Sequence, residues 1–500
     1  MITRLRAFTL AMSLVCAAVI PASGANWPVF GYDPARSGVD GSRRVLTASN
    51  VGRLRLRWRI SLGAVADSTP ILLEHIKIGR VSHTMLFQTA TNGTTFGIDA
   101  ASGRILWRFA TSLTSSEIEA FSPLSLLRKI VFGAKVTNST PAADPSGHSI
   151  YAAGLDGFVH KLDAASGAEL RGRGFPVRIT LIPQTEKDAS ALNVANGYLY
   201  ATTSGFNGDA PPYDGHVVSV RLSDGTTSVF NSLCSRDRNL PTATSCPHGH
   251  SGIWSRGGAV VDPDAAMHGQ IYVATGDGDF DANKGGPDYG DSVLALSADL
   301  STRIGYYTPA EYQRLDDHDV DLGSTSPALL PRQLASRTPL MLVQGGKDQV
   351  LKLVNRSPLP GVGAELQRLN LVGPLFSTPA VWTDPSSRAW IFLGFSREID
   401  GYRLITGVRG SSRLVRVWRA AVGQTEREGT SPVVSNGIVF DALDGAIFAL
   451  DARDGRELWS SARRSAGRTI GAVHWQSPIV VNGWVYCSDQ NGNLTAYALP

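Results

Sequence analysis

The sequence predicts an all-β protein, an eight-bladed β-propeller built from four-stranded antiparallel blades. Three observations lead to this fold. A turn-and-strand motif recurs along the chain, a Ser-Pro or Thr-Pro pair recurs at blade-sized intervals, and the two ends of the repeat region complement each other. A propeller also accounts for the length of 500 residues, because one repeat ring can absorb a chain that would otherwise suggest about three domains.

The clearest repeat occurs twice, near the two ends of the chain. Gly93–Trp107 and Gly445–Trp459 carry Gly, Asp, Gly and Trp at identical spacing, and Gly157–Gly167 is a third copy without the Trp. The Asp-x-x-Ser/Asp-Gly segment predicts a tight turn, because Asp bonds back to the backbone and Gly tolerates positive φ. The strands before and after this turn are expected to be neighbours in one blade. More degenerate copies lie around Val217–Val220, Val293–Leu296, Val350–Leu353 and Gly401–Trp418.

A second marker precedes each copy of the repeat. A Ser-Pro or Thr-Pro pair opens an apolar run, and proline is tolerated at the first residue of a strand, where no ladder donor is needed. Each run leads into two further strand-like runs, which gives the strand order of a propeller blade. The markers are Thr69-Pro70, Thr140-Pro141, Ser326-Pro327, Thr378-Pro379, Ser431-Pro432 and Ser477-Pro478, with Ala191 and Gly258 at the equivalent places of two divergent units.

The last unit has three strand-like runs and no fourth. The segment Leu54–Leu62 has the pattern of a fourth strand, with Trp58 at the position of the repeat Trp. We therefore expect the two ends to complete one blade and to close the ring, which removes an exposed sheet edge. Helical pattern is scarce, and only Ser115–Ile130 predicts a short helix, between the first two units.

Residues 1–25 have the pattern of a cleavable secretory signal peptide, and residues 26–500 are expected to form a single propeller domain. Arg4 and Arg6 precede the apolar stretch Ala7–Ile20, which is too short to span a bilayer. The sequence therefore predicts a periplasmic or extracellular protein without a membrane span. The net charge is only +4 and the basic residues are scattered, so nothing indicates a nucleic-acid partner.

The cysteines agree with an oxidising compartment. Cys234 and Cys246 flank a short polar loop, so we expect them to form a disulfide. Cys487 lies in an apolar run and is expected to be a buried strand residue.

The chain resembles the secreted propeller proteins that carry pyrroloquinoline-quinone (PQQ) repeats. The opening segments Asn26–Gly31 and Asp33–Gly38, and then Leu46–Val51, are similar to the start of those proteins. The middle of the chain resembles the corresponding stretch of quinoprotein alcohol dehydrogenases and polyvinyl-alcohol dehydrogenases. That resemblance rests on Ser251–Trp254, Ile271–Gly278, Asp291–Leu296, Asp316–Asp321 and Gly346–Asp348.

The resemblance implies roles for particular residues. In that family a Trp stacks under the quinone, an Asn ligates calcium, an Asp is the catalytic base, and a Lys or Arg bonds the quinone oxygens. By motif these roles fall on Trp254, Asp277, Asp319 or Asp321, and Lys347. Asp277 stands where the family has Asn, and the family's adjacent Cys-Cys pair is absent. The chain contains no Cys-x-x-Cys-His haem motif, so a separate electron acceptor is implied.

The chemistry of two acidic segments agrees with these roles. Asp316–Asp321 is the densest carboxylate cluster, and close like charges raise pKa values, which suits a general base or a hard-cation site. Asp321 is the first choice for a base because it is nearest the predicted inner strand. Asp277, Asp279, Asp281 and Asn283 alternate at a spacing that suits calcium ligands. The alternatives are a solvated surface loop and a polar hairpin.

Four residues are candidates for cofactor binding, and two of them, Trp254 and Lys347, are those that the resemblance also singles out. Trp254 is either the stacking floor of a flat cofactor or a core-filling ring, and Lys347 either neutralises an anionic ligand or flanks a turn at the surface. Arg256 and Trp475 precede inner strands, so they are expected to line the same funnel.

Two functions follow from these observations. The first is an exported quinoprotein-like oxidoreductase that oxidises an alcohol or polyol, with PQQ and calcium in the central funnel. The second is a non-catalytic scaffold in the periplasm that presents loops to a partner protein or polymer. Fold alone does not decide between them.

Overall fold

A computed structural model describes residues 26–41, 45–111, 135–206, 211–247, 249–407, 409–423 and 428–500. Within these ranges the chain forms eight small sheets, seven of them antiparallel units in chain order and the eighth shared by the two ends. The predicted eight-bladed propeller is therefore confirmed. The expected signal peptide and the helix predicted at residues 115–130 lie outside the described residues. No helix in these ranges is long and apolar enough to cross a membrane.

The first half of the ring holds blades 1 to 4. Two strands precede blade 1, namely β1 (Val39–Asp40) and β2 (Arg55–Ser61). Blade 1 has β3 (Ile71–Ile78), β4 (Val81–Thr89), β5 (Thr95–Asp99) and β6 (Ile105–Phe109); blade 2 has β7 (Ala142–Ala143), β8 (Ser149–Ala153), β9 (Phe158–Asp163) and β10 (Val177–Arg178). Blade 3 has β11 (Glu186–Asp188), β12 (Asn193–Ala195), β13 (Tyr198–Gly205), β14 (His216–Arg221) and β15 (Thr227–Asn231); blade 4 has β16 (Val260–Val261), β17 (Ile271–Ala274), β18 (Val293–Leu296) and β19 (Arg303–Thr308).

The second half of the ring holds blades 5 to 8. Blade 5 has β20 (Ala328–Leu329), β21 (Met341–Gln344), β22 (Val350–Asn355) and β24 (Gln367–Asn370), while β23 (Gly361–Val362) joins blade 4. Blade 6 has β25 (Ala380–Thr383), β26 (Ala389–Gly394), β27 (Glu398–Thr406) and β28 (Ser412–Ala421); blade 7 has β29 (Val433–Ser435), β30 (Ile438–Leu443), β31 (Ala446–Asp451) and β32 (Glu457–Ser460). Blade 8 has β33 (Ile479–Val481), β34 (Trp484–Ser488), β35 (Asn493–Ala498) and β2.

Helical structure is limited to short segments. Among the described residues one α-helix, α1, spans Tyr312–Asp317. The 3-10 turns of the described residues are Val51–Arg53, Ala265–Met267, Ala282–Lys284, Leu322–Ser324 and Arg464–Ala466.

Blade 8 is closed by the two ends of the chain, as predicted. β2 pairs antiparallel with β35, with Arg55 opposite Ala498 and Ser61 opposite Asn493. This pairing gives the N-terminal strand and the C-terminal strand a shared ladder, so the ring has no open junction between its first and last blades.

Where a blade carries the repeat Trp, this residue fastens the blade to the next one. The Trp107 indole donates to the carbonyl of Ala164 at 3.1 Å, directly after the turn Asp of the following blade. The ring also fills the space beside Gly167 in that turn, which has φ +72°, and a Cβ there would lie 2.5 Å from the indole. Trp418 makes the same contacts with Ala452 and Gly455. The turn Gly is thus required twice, by its positive φ and by the close ring.

The Ser-Pro and Thr-Pro markers tie the inner strands together. The Thr140 hydroxyl accepts the backbone N–H of Thr69 at 2.9 Å, and the Ser431 hydroxyl accepts that of Thr378 at 2.9 Å. Ser477 does the same for Ser431 at 3.0 Å. Each hydroxyl thus satisfies the marker N–H of the preceding blade, which fixes the residues just before each inner strand around one axis.

The segment from Trp27 to β1 packs across several inner strands. Trp27 forms a bridge with Leu72 of blade 1, and Val39 lies parallel to Val434 of blade 7. The buried Arg36 guanidinium donates to four backbone carbonyls, those of Phe30, Ala191, Leu192 and Gly257. These contacts join the segment to blades 1 and 7 and to the residues just before the inner strands of blades 3 and 4.

Candidate functional site

A cavity of about 320 Å³ opens where the inner strands begin. Loops from seven of the eight blades contribute to it, because every inner strand starts near the axis. Its lining combines aromatic rings with carboxylates and amines. The lining residues are Asn138, Lys187, Ala189, Ser204, Gly205, Phe206, Tyr213, Gly252, Trp254, Asp277, Asp321, Lys347, Phe376, Glu428, His474 and Trp475.

Two indole rings lie side by side in this cavity. Trp254, which precedes blade 4, and Trp475, which precedes blade 8, have centroids 5.8 Å apart and planes inclined by 20°. The Lys347 amine lies 5.4 Å from the Trp254 ring, and the Arg256 guanidinium lies 4.6 Å from the Trp475 ring. The two rings are therefore held nearly parallel, with a cation near each.

Asp277, Asp319, Asp321 and Lys347 form a carboxylate cluster on the side of blades 4 and 5. The Lys347 amine forms an ion pair with Asp321 and lies 2.6 Å from Asp319. Asp321 Oδ1 accepts the backbone N–H of Asp277 at 2.8 Å. One oxygen from each of the three carboxylates lies within 4.8 Å of the others, which is a geometry able to hold a metal ion.

The local backbone explains how this cluster forms. Asp321 begins the 3-10 turn Leu322–Ser324, whose first N–H is anchored to Asp291 Oδ1 at 2.8 Å. The backbone N–H of Lys347 donates to the carbonyl of Asp321 at 2.9 Å. A Cβ at Gly276 would lie 2.4 Å from Asp321 Oδ1, so glycine is needed before Asp277. The turn therefore carries Asp321 close to both neighbours.

The cluster is electrostatically unbalanced. Burial, together with the adjacent charges of Asp321 and Asp319, raises the pKa of Asp277 to about 8. Burial also opposes ionisation of Asp321, but the Lys347 amine outweighs it and leaves the pKa of Asp321 below its usual value. One carboxylate thus stays ionised beside a lysine while its neighbour holds a proton at neutral pH.

A hydrogen-bonded belt borders the cavity, which Lys187, Asn138 and His474 line and which buried Asp67 does not. We use this name for Lys187, Asn138, Asp67 and His474, which come from blade 3 and from the segments before blades 2, 1 and 8. The Lys187 amine donates to Asn138 Oδ1 at 2.6 Å, and Asn138 Nδ2 donates to Asp67 Oδ2 at 2.9 Å. His474 Nδ1 lies 2.8 Å from the same Asp67 oxygen. The belt links four blades by three contacts.

Asp67 is the centre of the belt. Besides Asn138 and His474, it accepts the backbone N–H of Trp475 at 3.0 Å and the Gln490 amide at 2.7 Å. Burial opposes its ionisation, but these bonds and the charge of His474 outweigh burial and lower its pKa. His474 in turn lies 3.4 Å from Glu428. Burial lowers the pKa of His474, but the hydrogen bond and charge of Asp67 outweigh burial, so the pKa is raised.

A second cavity of about 670 Å³ adjoins the first and shares Asp277 and Tyr213 with it. Its wall includes the loop closed by the Cys234–Cys246 disulfide, so that predicted bond is confirmed. Three other carboxylates lie in its lining, those of Asp214, Asp279 and Asp316.

The structure brings most of the predicted site residues into one place. Trp254, Asp277, Asp321, Lys347 and Trp475 all line the first cavity. Whether these residues have the predicted roles is taken up under Proposed function.

The other candidates lie elsewhere. Asp319 contacts Lys347 but is exposed. Arg256 differs from the prediction, because it is only 2% exposed and packs against Trp475 instead of lining the cavity. Asp281 turns into its own loop, where it accepts the backbone N–H of Asp288 at 2.9 Å, and Asp279 faces the second cavity. Cys487 is buried, as predicted.

Sequence reasoning missed the belt, although the chain carries a signal for it. Asp67, Asn138 and His474 lie two or three residues before a Ser-Pro or Thr-Pro marker, and Glu428 and Phe376 occupy similar places. Because the markers form a ring, residues just ahead of them lie near the axis, and four of them line the cavity, namely Asn138, Phe376, Glu428 and His474.

An eight-bladed propeller with a charged aromatic cavity on its axis defines a known class of proteins. The sequence profile described as the β-propeller domain of glucose/ethanol/alcohol dehydrogenase matches residues 27–357. This chain belongs to that family. A second profile, described as outer membrane protein assembly factor BamB, matches residues 415–499. No curated protein sequence matches the chain.

Solved structures support the fold. The quinohemoprotein alcohol dehydrogenase ADHIIG of Pseudomonas putida HK5 superposes with a TM-score of 0.67 at 15% identity, covering 95% of this chain and 80% of that one. A europium-containing methanol dehydrogenase gives 0.66 at 15% identity, covering 95% and 98%. BamB of Moraxella catarrhalis gives 0.52 at 12% identity, covering 89% and 99%. At such identities these similarities establish the architecture and leave function to the site.

Proposed function

We propose that this protein is an oxidoreductase that oxidises an alcohol or polyol, with PQQ and calcium bound in the axial cavity. The observation that carries this proposal is the convergence of Trp254, Asp277, Asp321 and Lys347 on one cavity. These residues are far apart in sequence, and each has the chemistry that the reaction requires. Family membership agrees with the proposal, since the matching profile describes alcohol dehydrogenases.

The cavity fits a flat, anionic quinone. The Trp254 ring offers an aromatic surface, and its inclination of 20° to Trp475 keeps the two indoles nearly parallel. The Lys187 and Lys347 amines lie in the same lining and would balance carboxylate groups of the quinone. Bound PQQ would supply the acceptor of the hydride that an alcohol loses when it is oxidised.

The carboxylate cluster fits a hard cation. Asp277, Asp319 and Asp321 offer oxygen ligands within 4.8 Å of one another, and oxygen is the donor that calcium prefers. Burial and the neighbouring carboxylates raise the pKa of Asp277, and a bound cation would favour its ionised form. The Lys347 amine forms ion pairs with two of these carboxylates, so a bound cation and the amine would both contact the cluster.

Asp321 is the proposed base. Lys347 keeps its carboxyl ionised, and its side chain is close to the cavity while being only 3% exposed. An ionised, water-shielded carboxylate can accept the hydroxyl proton of an alcohol as the C–H hydride leaves. Asp319 is less suited, because it is exposed to solvent and its charge is screened.

The proposal includes a periplasmic or extracellular location and a separate electron acceptor. Support comes from the disulfide between Cys234 and Cys246, which is typical of oxidising compartments.

The test is a titration of the purified protein with PQQ and calcium. We expect quinone absorbance changes at micromolar PQQ, calcium dependence, and dye-linked oxidation of alcohols by the loaded protein. Asp317→Asn removes an exposed carboxylate of the same segment. As the control variant, it should bind PQQ and calcium as the wild type does. Absence of quinone binding at these concentrations would overturn the proposal and favour the scaffold function.

A further inference from the structure

The second cavity is an acidic vestibule to the first. We use this name for the space lined by Asp214, Asp277, Asp279 and Asp316, with a volume of about 670 Å³. It meets the axial cavity at Asp277 and Tyr213, which line both. A molecule that lies in the vestibule therefore reaches the carboxylate cluster from the side.

The charge of the vestibule is one-sided. Its described lining contains four aspartates and one histidine but neither lysine nor arginine. Burial raises the pKa of Asp316, and the neighbouring Asp279 raises it further. The axial cavity differs, since Lys187, Lys347 and His474 balance its carboxylates. In the vestibule a bound cation would therefore balance the carboxylate charge, as the basic side chains do in the axial cavity.

One carboxylate of the vestibule is buried and incompletely bonded. Asp214 is only 5% exposed, and its Oδ1 has no hydrogen-bond partner among the described residues. Burial, together with repulsion from Glu186, raises the pKa of this group to about 6. A buried acceptor without a donor is costly, so it marks a place where a ligand would be stabilised.

The wall around these carboxylates is held in shape. The Tyr213 and His250 rings stack with centroids 5.0 Å apart and planes inclined by 16°. The His250 backbone N–H donates to the Tyr213 carbonyl at 2.9 Å. The Cys234–Cys246 disulfide closes the neighbouring loop. The vestibule is therefore built from fixed elements and not from a single exposed loop.

We propose that the vestibule binds the ammonium group of an amino alcohol, with the hydroxyl end directed to Asp321. This inference rests on the proposed oxidation of alcohols and names the class of substrate. A neutral polyol gains nothing from the negative charge of the lining, whereas an ammonium group gains the attraction of each ionised carboxylate. A cation needs acceptors and negative charge alone, which is what the lining supplies.

A pair of probes of equal shape tests the inference. Choline and its neutral carbon analogue 3,3-dimethylbutan-1-ol are both primary alcohols, and they differ in one charge. Calorimetric titration of the protein without quinone or calcium should show choline binding at least about tenfold more tightly at low ionic strength, since a unit charge near several carboxylates gains more than about 1 kcal/mol. Equal affinity of the two probes would overturn the inference.

Two variants locate the binding. Asp316→Asn and Asp279→Asn should each lower the preference for choline about threefold to tenfold, whereas Asp317→Asn, an exposed neighbour outside the lining, should leave it unchanged. A preference that all three variants lower alike would show unspecific attraction and overturn the site.

Oxidation assays separate this inference from the proposed function. If the loaded protein oxidises neither alcohol while choline still binds preferentially, the oxidoreductase proposal fails and the cation site stands. If it oxidises both with equal kcat/KM, the oxidoreductase proposal stands and the amino-alcohol specificity fails.

Discussion

The belt and the carboxylate cluster carry the same kinds of groups but differ in how the hydrogen-bonding and charge requirements of these groups are satisfied. In the belt, Asp67 accepts four hydrogen bonds and its pKa is lowered. In the carboxylate cluster, Asp277 is buried beside like charges, and its pKa is raised to about 8. A satisfied carboxylate stabilises the fold, whereas an unbalanced one costs stability and is suited to bind a ligand. The comparison indicates that the belt stabilises the ring and that the carboxylate cluster is the part suited to bind a ligand.

The largest expected effect is on catalysis, from the cluster. Asp321→Asn should lower the rate of alcohol oxidation by a factor of about 10² to 10⁴, the usual contribution of a positioned base. The amide cannot accept the hydroxyl proton, although it has almost the shape of the carboxyl group. Dye-linked turnover of the loaded protein measures the loss, with Asp317→Asn as the control. A variant that retains full turnover would show that Asp321 is not the base.

The next largest effect is on stability, from the belt. Asp67→Asn should lower the free energy of unfolding by about 2 to 4 kcal/mol, because an amide turns a donor toward groups that donate to the buried carboxylate. Urea unfolding, followed by tryptophan fluorescence, measures the change. An unchanged midpoint would show that the belt does not hold the ring.

An Asp→Asn substitution in the carboxylate cluster should change the stability in the opposite direction. Asp277→Asn should leave the calcium-free protein equally stable or more stable at pH 8, because it removes a carboxyl group that the fold prefers to keep protonated. Calcium binding should weaken in this variant, since one oxygen ligand loses its charge. Thermal unfolding with and without calcium tests both statements, and a strong destabilisation without calcium would contradict the first.

The stability contributions of Asp277 and Asp67 should depend on pH in opposite directions. The pKa of Asp277 is raised from 3.8 to about 8 in the folded protein. Its contribution to stability is complete below pH 3.8 and is lost as pH rises toward 8. Asp67, whose pKa is lowered, contributes stability above pH 3.8 and loses it only as pH falls through its folded pKa. Melting temperatures from pH 5 to 9, without calcium, should therefore fall less steeply with pH in Asp277→Asn than in the wild type.

Sequence alone predicted the ring because its determinants are local and repeated. The turn Gly167 and the ring of Trp107 contact each other across two blades, yet each belongs to a short motif that can be recognised by itself. The shared blade 8 was also predictable, since one missing strand and one extra strand were both visible.

The site was predictable only where a motif carried it. Asp321 and Lys347 lie in segments with unusual composition, and family resemblance singled them out. The contacts of Asp67 join residues up to 423 positions apart, between Asp67 and Gln490. No local pattern encodes such contacts, and they follow only from closure of the ring. Arg256 was misplaced for the same reason, because its depth beside Trp475 depends on blade 8.

The smallest expected effect belongs to His474, where the belt meets solvent. His474→Gln should lower stability by less than about 1 kcal/mol at pH 6, since the side chain is partly exposed and its ion pair with Asp67 is screened. Asp67 raises the pKa of His474, so the pair is fully charged below pH 6.5 and its contribution fades as pH rises through the folded pKa. The difference between variant and wild type should therefore vanish at pH 9. A difference that persists there would show that His474 acts through packing, which would leave Asp67 with its three neutral donors as the part of the belt that holds the ring.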